Sequence, residues 1–208
     1  MSAKGFQISA NFKFVAEVGR QCDSLAETIK VELSKALAAK DAGAEIVAEQ
    51  WSKVVFRDDE SGWVSTDIAY SLPLKVAEEP IGSLCFQISL AGNGMSFGEN
   101  REPLLHVCFW TGGPIKFPDN YMGFPLMDEP VVEAGRLLNL SGDGDELKSW
   151  TFSLRLISVN GFSDVLTKVV NPAVALLQGR LAEEALPESI EGLALYSLEE
   201  PKISFQGE

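Results

Sequence analysis

Between Ser83 and Thr111 the chain reads SLCFQISLAGNGMSFGENREPLLHVCFWT. These are two apolar-rich arms joined by a glycine-rich turn, and they constrain the fold more than any other stretch. In the first arm Leu84, Phe86, Ile88 and Leu90 alternate with Cys85, Gln87, Ser89 and Ala91. Successive side chains of a strand point to opposite faces, so each set occupies one face. In the second arm Leu105, Val107 and Phe109 alternate with His106, Cys108 and Trp110. Antiparallel pairing with both apolar sets on one face sets Phe86 against Phe109 and Ile88 against Val107. The other face then carries Cys85, Gln87, Ser89, His106, Cys108 and Trp110. It is half polar, which suits a face that is solvated, covered by a helix, or lining a cavity.

Similar alternation recurs along the chain. Phe6, Ile8, Ala10, Phe12 and Phe14 alternate with Gln7, Ser9, Asn11 and Lys13, which predicts a strand over Gly5–Val18. Ser24-Leu-Ala-Glu27 matches a capping box, so a helix is expected from there to about Lys40, with Leu25, Ile29, Leu33, Ala36 and Leu37 as its stripe. Ala44–Arg57 and Gly62–Val76 predict a hairpin around the turn Asp58–Gly62. Val131–Leu140 fits a short strand or a turn of helix, and Trp150–Val159 is a further strand. Phe162–Ala185 has a helical stripe of Val165, Leu166, Val169, Val170, Ala173, Leu176, Leu177 and Leu181, with Asn171-Pro172 expected to cap and restart it. The tail Ile190–Phe205 adds a short strand.

The expected fold is therefore α+β. It is a single domain over residues 1–208, with a curved antiparallel sheet of about six to eight strands. A helix in the N-terminal region and a longer C-terminal helix pack on it. This element order resembles the helix-grip architecture, in which a curved sheet wraps a long C-terminal helix around an apolar cavity. The resemblance is one of order alone, and it implies a carrier of an apolar small molecule. Gln87, Ser89 and His106 would be the polar lining of a cavity between sheet and helix.

Charge narrows the partners. With 17 basic and 30 acidic residues the net charge is −13. Met1–Arg57 is nearly balanced at 8 basic against 7 acidic, which leaves 9 against 23 beyond it. Such a body repels phosphate backbones and shows no basic stripe, so no nucleic-acid partner is expected. No apolar run is long enough for a membrane span, and no charged-then-apolar leader opens the sequence. The three cysteines, Cys22, Cys85 and Cys108, do not form a disulfide framework, and a cytoplasmic location is expected.

Reactive constellations are few. Gly94-Met-Ser96-Phe-Gly98 matches the nucleophile elbow of serine hydrolases, but the next ordered stretch reads as a strand where the elbow needs a helix. His106, the single histidine, lies in the wrong chain order for that triad. It is also two residues from Cys108, roughly 6.6 Å along a strand, too far to activate the thiol. Asp58, Asp59 and Glu60 read as a solvated turn, and Asn139–Asp145 lacks the glutamate of a calcium loop. No metal, cofactor or catalytic residue is assigned; the pattern leans away from an enzyme, with a serine hydrolase acting through Ser96 as the weaker alternative.

The segment Gly112–Pro130 stands apart. Its nineteen residues hold four prolines and three glycines, yet also Ile115, Phe117, Tyr121, Met122, Phe124, Leu126 and Met127. Loops this long are uncommon in compact domains unless functional or disordered. Either its apolar groups close the open end of the sheet, or they form a surface for a partner or ligand, which aromatic and methionine side chains suit. The functional expectation is a non-enzymatic, inhibitor- or immunity-like protein-binding module. Its acidic surface would guide approach to another protein, with a basic one favoured. Trp110, Phe117, Tyr121, Met122, Phe124 and Met127 would be the contacts. The oligomeric state is left open.

Overall fold

Helix α1, Ala3–Ala38, takes up the first part of the chain as one unbroken run of 36 residues. A computed structural model describes residues 3–39, 46–91, 102–111, 131–133, 135–140, 149–196 and 203–206. The strand expected over Gly5–Val18 is thus helix, and Ser24 is not a cap but lies mid-helix, its carbonyl accepting from Thr28 Oγ1 at 2.9 Å. The cause is legible in retrospect. Ile8, Phe12, Val15, Gly19, Cys22, Ala26, Ile29, Leu33 and Ala36 follow one another at alternating steps of four and three, the heptad spacing that keeps a helix stripe on one side. Pairs three apart along the helix, Glu17–Arg20, Glu27–Lys30 and Glu32–Lys35, add local support.

The strands form one open antiparallel sheet in the order β1-β3-β4-β5-β8-β7-β6, with β2 also paired to β3. They are β1 (Ile46–Ala48), β2 (Ser52–Asp58), β3 (Ser65–Val76), β4 (Glu79–Ser89), β5 (Leu104–Trp110), β6 (Val131–Glu133), β7 (Leu138–Leu140) and β8 (Ser149–Arg155). The expected α+β class and antiparallel sheet are both present. A small hairpin of β9 (Ala194–Tyr196) and β10 (Ile203–Phe205) completes the described strands, and Val131–Leu140 resolves into the β6–β7 pair. The β3–β4 turn holds Ala77 at φ 50° and Glu78 at φ 68°. A two-residue hairpin needs this left-handed conformation even where neither residue is glycine.

In the central pair Leu84 faces Phe109, Phe86 faces Val107 and Ile88 faces Leu105. The register is two residues away from the one expected. A slip of two keeps every side chain on its face, so the division of faces survives while the partners change.

Helix α2 (Phe162–Asp164), a π-helical stretch (Val165–Val170) and α3 (Asn171–Leu177) form one continuous run, followed by α4 (Ala182–Ala185). Asn171 stays helical at φ −60°, ψ −46°, so the expected cap and restart is absent. Proline has no N–H to give and crowds the turn before it. The chain widens to π geometry just upstream of Pro172 and continues. The longer helix is therefore the N-terminal one.

The core lies between one face of the sheet and these helices. Cys22, Ala26, Ile29, Leu33 and Leu37 of α1 meet Val165, Val169, Val170 and Ala173 of the C-terminal run, over Leu72, Leu84, Phe86, Val107, Phe109, Phe152 and Leu154 of the sheet. Trp51 pins α1 down, donating from Nε1 to Ser34 Oγ at 3.0 Å while its ring meets Phe86 edge-on at 5.4 Å. Among the described residues no helix is long and apolar enough to cross a membrane.

Candidate functional site

The half-polar face proves to be buried. Asp67, Ser71, Ser83, Gln87, Ser89, His106, Ser149, Thr151 and Ser153 are all closed to solvent, on the side of the sheet away from α1 and α3. Register brings them into rows, with Gln87 beside His106 and His106 beside Ser153. Ser153 Oγ sits 2.6 Å from His106 Nδ1 and accepts from the Tyr196 hydroxyl. Gln87 Nε2 donates to Ser89 Oγ at 2.8 Å and to Asp67 Oδ1 at 3.3 Å, and Thr66 Oγ1 donates to Asp67 Oδ2 at 3.1 Å. Among the described residues no buried side-chain polar atom lacks a hydrogen-bond partner. A set so enclosed and so fully bonded behaves as a second, polar core.

Cys85 and Cys108 lie directly opposite each other in the next row. Cys85 Sγ donates to Ser71 Oγ at 3.3 Å. Hydrogen bonding to Cys85 and burial hold the Cys108 thiol well above its ordinary range, which makes it a poor nucleophile. Burial likewise raises the Tyr196 phenol, with the Ser153 bond opposing. At the edge of this face Arg155 grips Glu102 with two bonds, Nε to Oε2 at 2.6 Å and a terminal nitrogen to Oε1 at 2.8 Å.

Gln87, Ser89 and His106, expected to line a cavity between sheet and C-terminal helix, thus stand on the opposite side of the sheet from that helix. In the observed register His106 stands beside Gln87 of β4 and bonds Ser153 of β8. Trp110 is half-buried at the end of β5. Phe117, Tyr121, Met122, Phe124 and Met127, together with Ser96 and Asp143, lie outside the described residues. The acidic turn is organised by Asp59, which accepts from Ser61 Oγ at 2.8 Å and from the Trp63 amide at 2.9 Å. Those bonds lower its carboxyl below the usual range. Among the described residues no cluster of histidine, cysteine and carboxylate groups could hold a metal ion. A shallow groove of about 340 Å³ opens beside β7 and α4, but its cation, Arg136, is engaged by Glu188 at 2.8 Å.

The surface feature that alternation concealed is the forward half of α1. Phe6, Ile8, Phe12, Phe14 and Val15 are exposed there, Phe12 to 60% and Ile8 to 59%. Trp63, from the β2–β3 turn, touches Phe12 edge-on at 6.4 Å and is itself exposed. Ile8, Phe12 and Val15 belong to the same heptad stripe that is buried from Cys22 onward, while Phe6 and Phe14 lie across the helix from them. Counting threes and fours instead of twos would have found this stripe in the sequence. The chain matches no protein-family model, and comparison with the curated proteins and with the solved structures finds no match.

Proposed function

We propose that the chain is a non-enzymatic cytoplasmic protein-binding module that offers the forward half of α1 to a helix of its partner. One observation carries this: the stripe covered by the sheet and the C-terminal helical run from Cys22 to Leu37 runs on exposed through Val15, Phe12 and Ile8, with Trp63 set edge-on against Phe12. A seam of this spacing packs best against another helix, and exposed aromatic side chains beside it are the usual anchors of protein contacts. The acidic remainder of the chain supports an inhibitor- or immunity-like role, since it draws a basic surface in from a distance. Phe117, Tyr121, Met122, Phe124 and Met127 are proposed, together with Trp110, as a second contact. A reducing compartment suits Cys22, Cys85 and Cys108, all free thiols.

The test is a photo-crosslinking residue placed at Phe12 in cells, with one at Val31, exposed on the covered half of α1, as control. A discrete protein adduct from Phe12 and none from Val31 is expected. Equal labelling from both positions, or no discrete adduct from Phe12, would overturn the assignment.

A further inference from the structure

We infer that the helix received by α1 is the α1 of a second copy, laid antiparallel across its forward half. The inference rests on the binding-module proposal and names its partner. Continuity is the first ground. The exposed stripe Ile8–Phe12–Val15 is the direct extension of an interface the molecule already uses, and a second α1 brings a stripe of the same spacing and width. The positions flanking it, Ser9, Asn11, Ala16 and Val18, are small or uncharged, so two such stripes approach without like-charge contact.

Charge supplies the second ground and fixes the direction. Residues 3–16 carry Lys4 and Lys13 and no acid; taken from the 17 basic residues of the chain, they leave 15 basic against 30 acidic in the remainder. Each copy therefore has a basic tip on an acidic body. A parallel pair would set tip on tip and body beside body. An antiparallel pair places the bodies at opposite ends, separated by well over the roughly 8 Å at which salt screens them. It also brings Lys4 of one copy alongside Ala16 and Glu17 of the other. In that register Phe12 packs on the second copy's Ile8, and Val15 on its Gly5. An anionic bilayer would accept the basic aromatic tip but repel the acidic body, so a protein surface is favoured over a lipid one.

The test uses the purified full chain. Sedimentation over a wide concentration range is expected to show a monomer–dimer equilibrium. Phe12→Glu should weaken it at least about a hundredfold while keeping the parent's circular dichroism and unfolding midpoint. Phe14→Glu, across the helix, should leave it intact. Mixed Ile8→Cys and Phe12→Cys chains should link under mild oxidation, whereas Ile8→Cys alone should not; Cys22, Cys85 and Cys108 are buried and stand aside. Linkage of Ile8→Cys to itself would mean parallel pairing and overturn the arrangement. A chain monomeric throughout overturns the inference. If Phe12 then still crosslinks to a different protein in cells, the binding-module proposal stands. If it crosslinks to nothing, both fall. Binding of the monomer to phosphatidylserine vesicles, lost in Phe12→Glu, would reassign the face to lipid and overturn the inference as well.

Discussion

On one face of β4 stand Leu84, Phe86 and Ile88; on the other stand Cys85, Gln87 and Ser89, and all six are buried. The first three belong to the core shared with the helices; the second three meet a hydroxyl, a carboxylate and a thiol of neighbouring strands and, in Gln87 and Ser89, each other. The two faces contribute different things to the same sheet. Apolar contacts are nearly interchangeable, so a strand moved by two residues still sets one large side chain on another. Hydrogen bonds are not interchangeable. A two-residue shift of β5 would take His106 away from Gln87 and Cys108 away from Cys85 across the β4 pairing, and it would break the rows that end at Ser153. The helix face thus supplies most of the driving force, and the polar face selects one register from several of similar apolar burial.

The largest expected effect tests the first half of that contrast. Phe86 is fully buried, stacks on Tyr70 at 5.1 Å and meets Trp51 at 5.4 Å. Phe86→Ala should cost about 3–5 kcal/mol in urea unfolding, the sum of lost transfer energy and a cavity that stiff neighbours cannot fill. A cost near zero would mean the helix face is not the principal core.

Ser153→Ala removes a single oxygen from the polar face, yet it takes one bond from His106 and one from Tyr196. About 1–3 kcal/mol is expected, since each of the two lost hydrogen bonds is worth roughly 0.5–1.5 kcal/mol net. Amide exchange should also quicken along β5 and β8 more than along β3. A variant as stable as the parent, with exchange unchanged, would break the contrast by showing that apolar packing alone fixes the register.

The same contrast explains what the amino-acid sequence disclosed. Alternation in Leu84–Leu90 and Leu105–Phe109 was enough to assign faces, because period two is a local property. It could not fix which residue opposes which, since Phe, Val, Ile and Leu offered no preference and the partners of Gln87 and His106 lay in other strands, at Asp67 and Ser153. In Gly5–Val18 two periods coexist: Phe6, Ile8, Phe12 and Phe14 satisfy alternation, while Ile8, Phe12 and Val15 satisfy the heptad. Continuity with Cys22–Leu37 decides for helix, and a window confined to the first eighteen residues misses it. Pro172 showed a similar limit. Its missing donor was legible, but two responses to it were open, a cap or a widened turn, and Val169, Val170 and Ala173 stay on the buried stripe only if the helix runs through.

The smallest effect sharpens the contrast through pH. Burial pushes the Tyr196 phenol above its ordinary value on the polar face. On the helix face burial also raises Tyr70, but Lys30 lies 4.7 Å from the centre of its ring and pulls it back. Both phenols ionise less readily in the folded chain than in the unfolded one, which ionises them near pH 10. The stability each contributes is therefore fully present below about pH 10 and is lost as pH rises beyond it. Tyr196→Phe has no phenol to ionise, so its stability should fall less steeply than the parent's between about pH 9 and 11, by roughly 1.4 kcal/mol at the upper end. Tyr70→Phe should flatten the same profile by less, because the charge above its ring already shelters the ionised form. Unfolding midpoints taken across that range distinguish the two. If Tyr70→Phe flattened the profile more than Tyr196→Phe, the tighter enclosure of the polar face would be refuted, and with it the distinction between the two sides of the sheet.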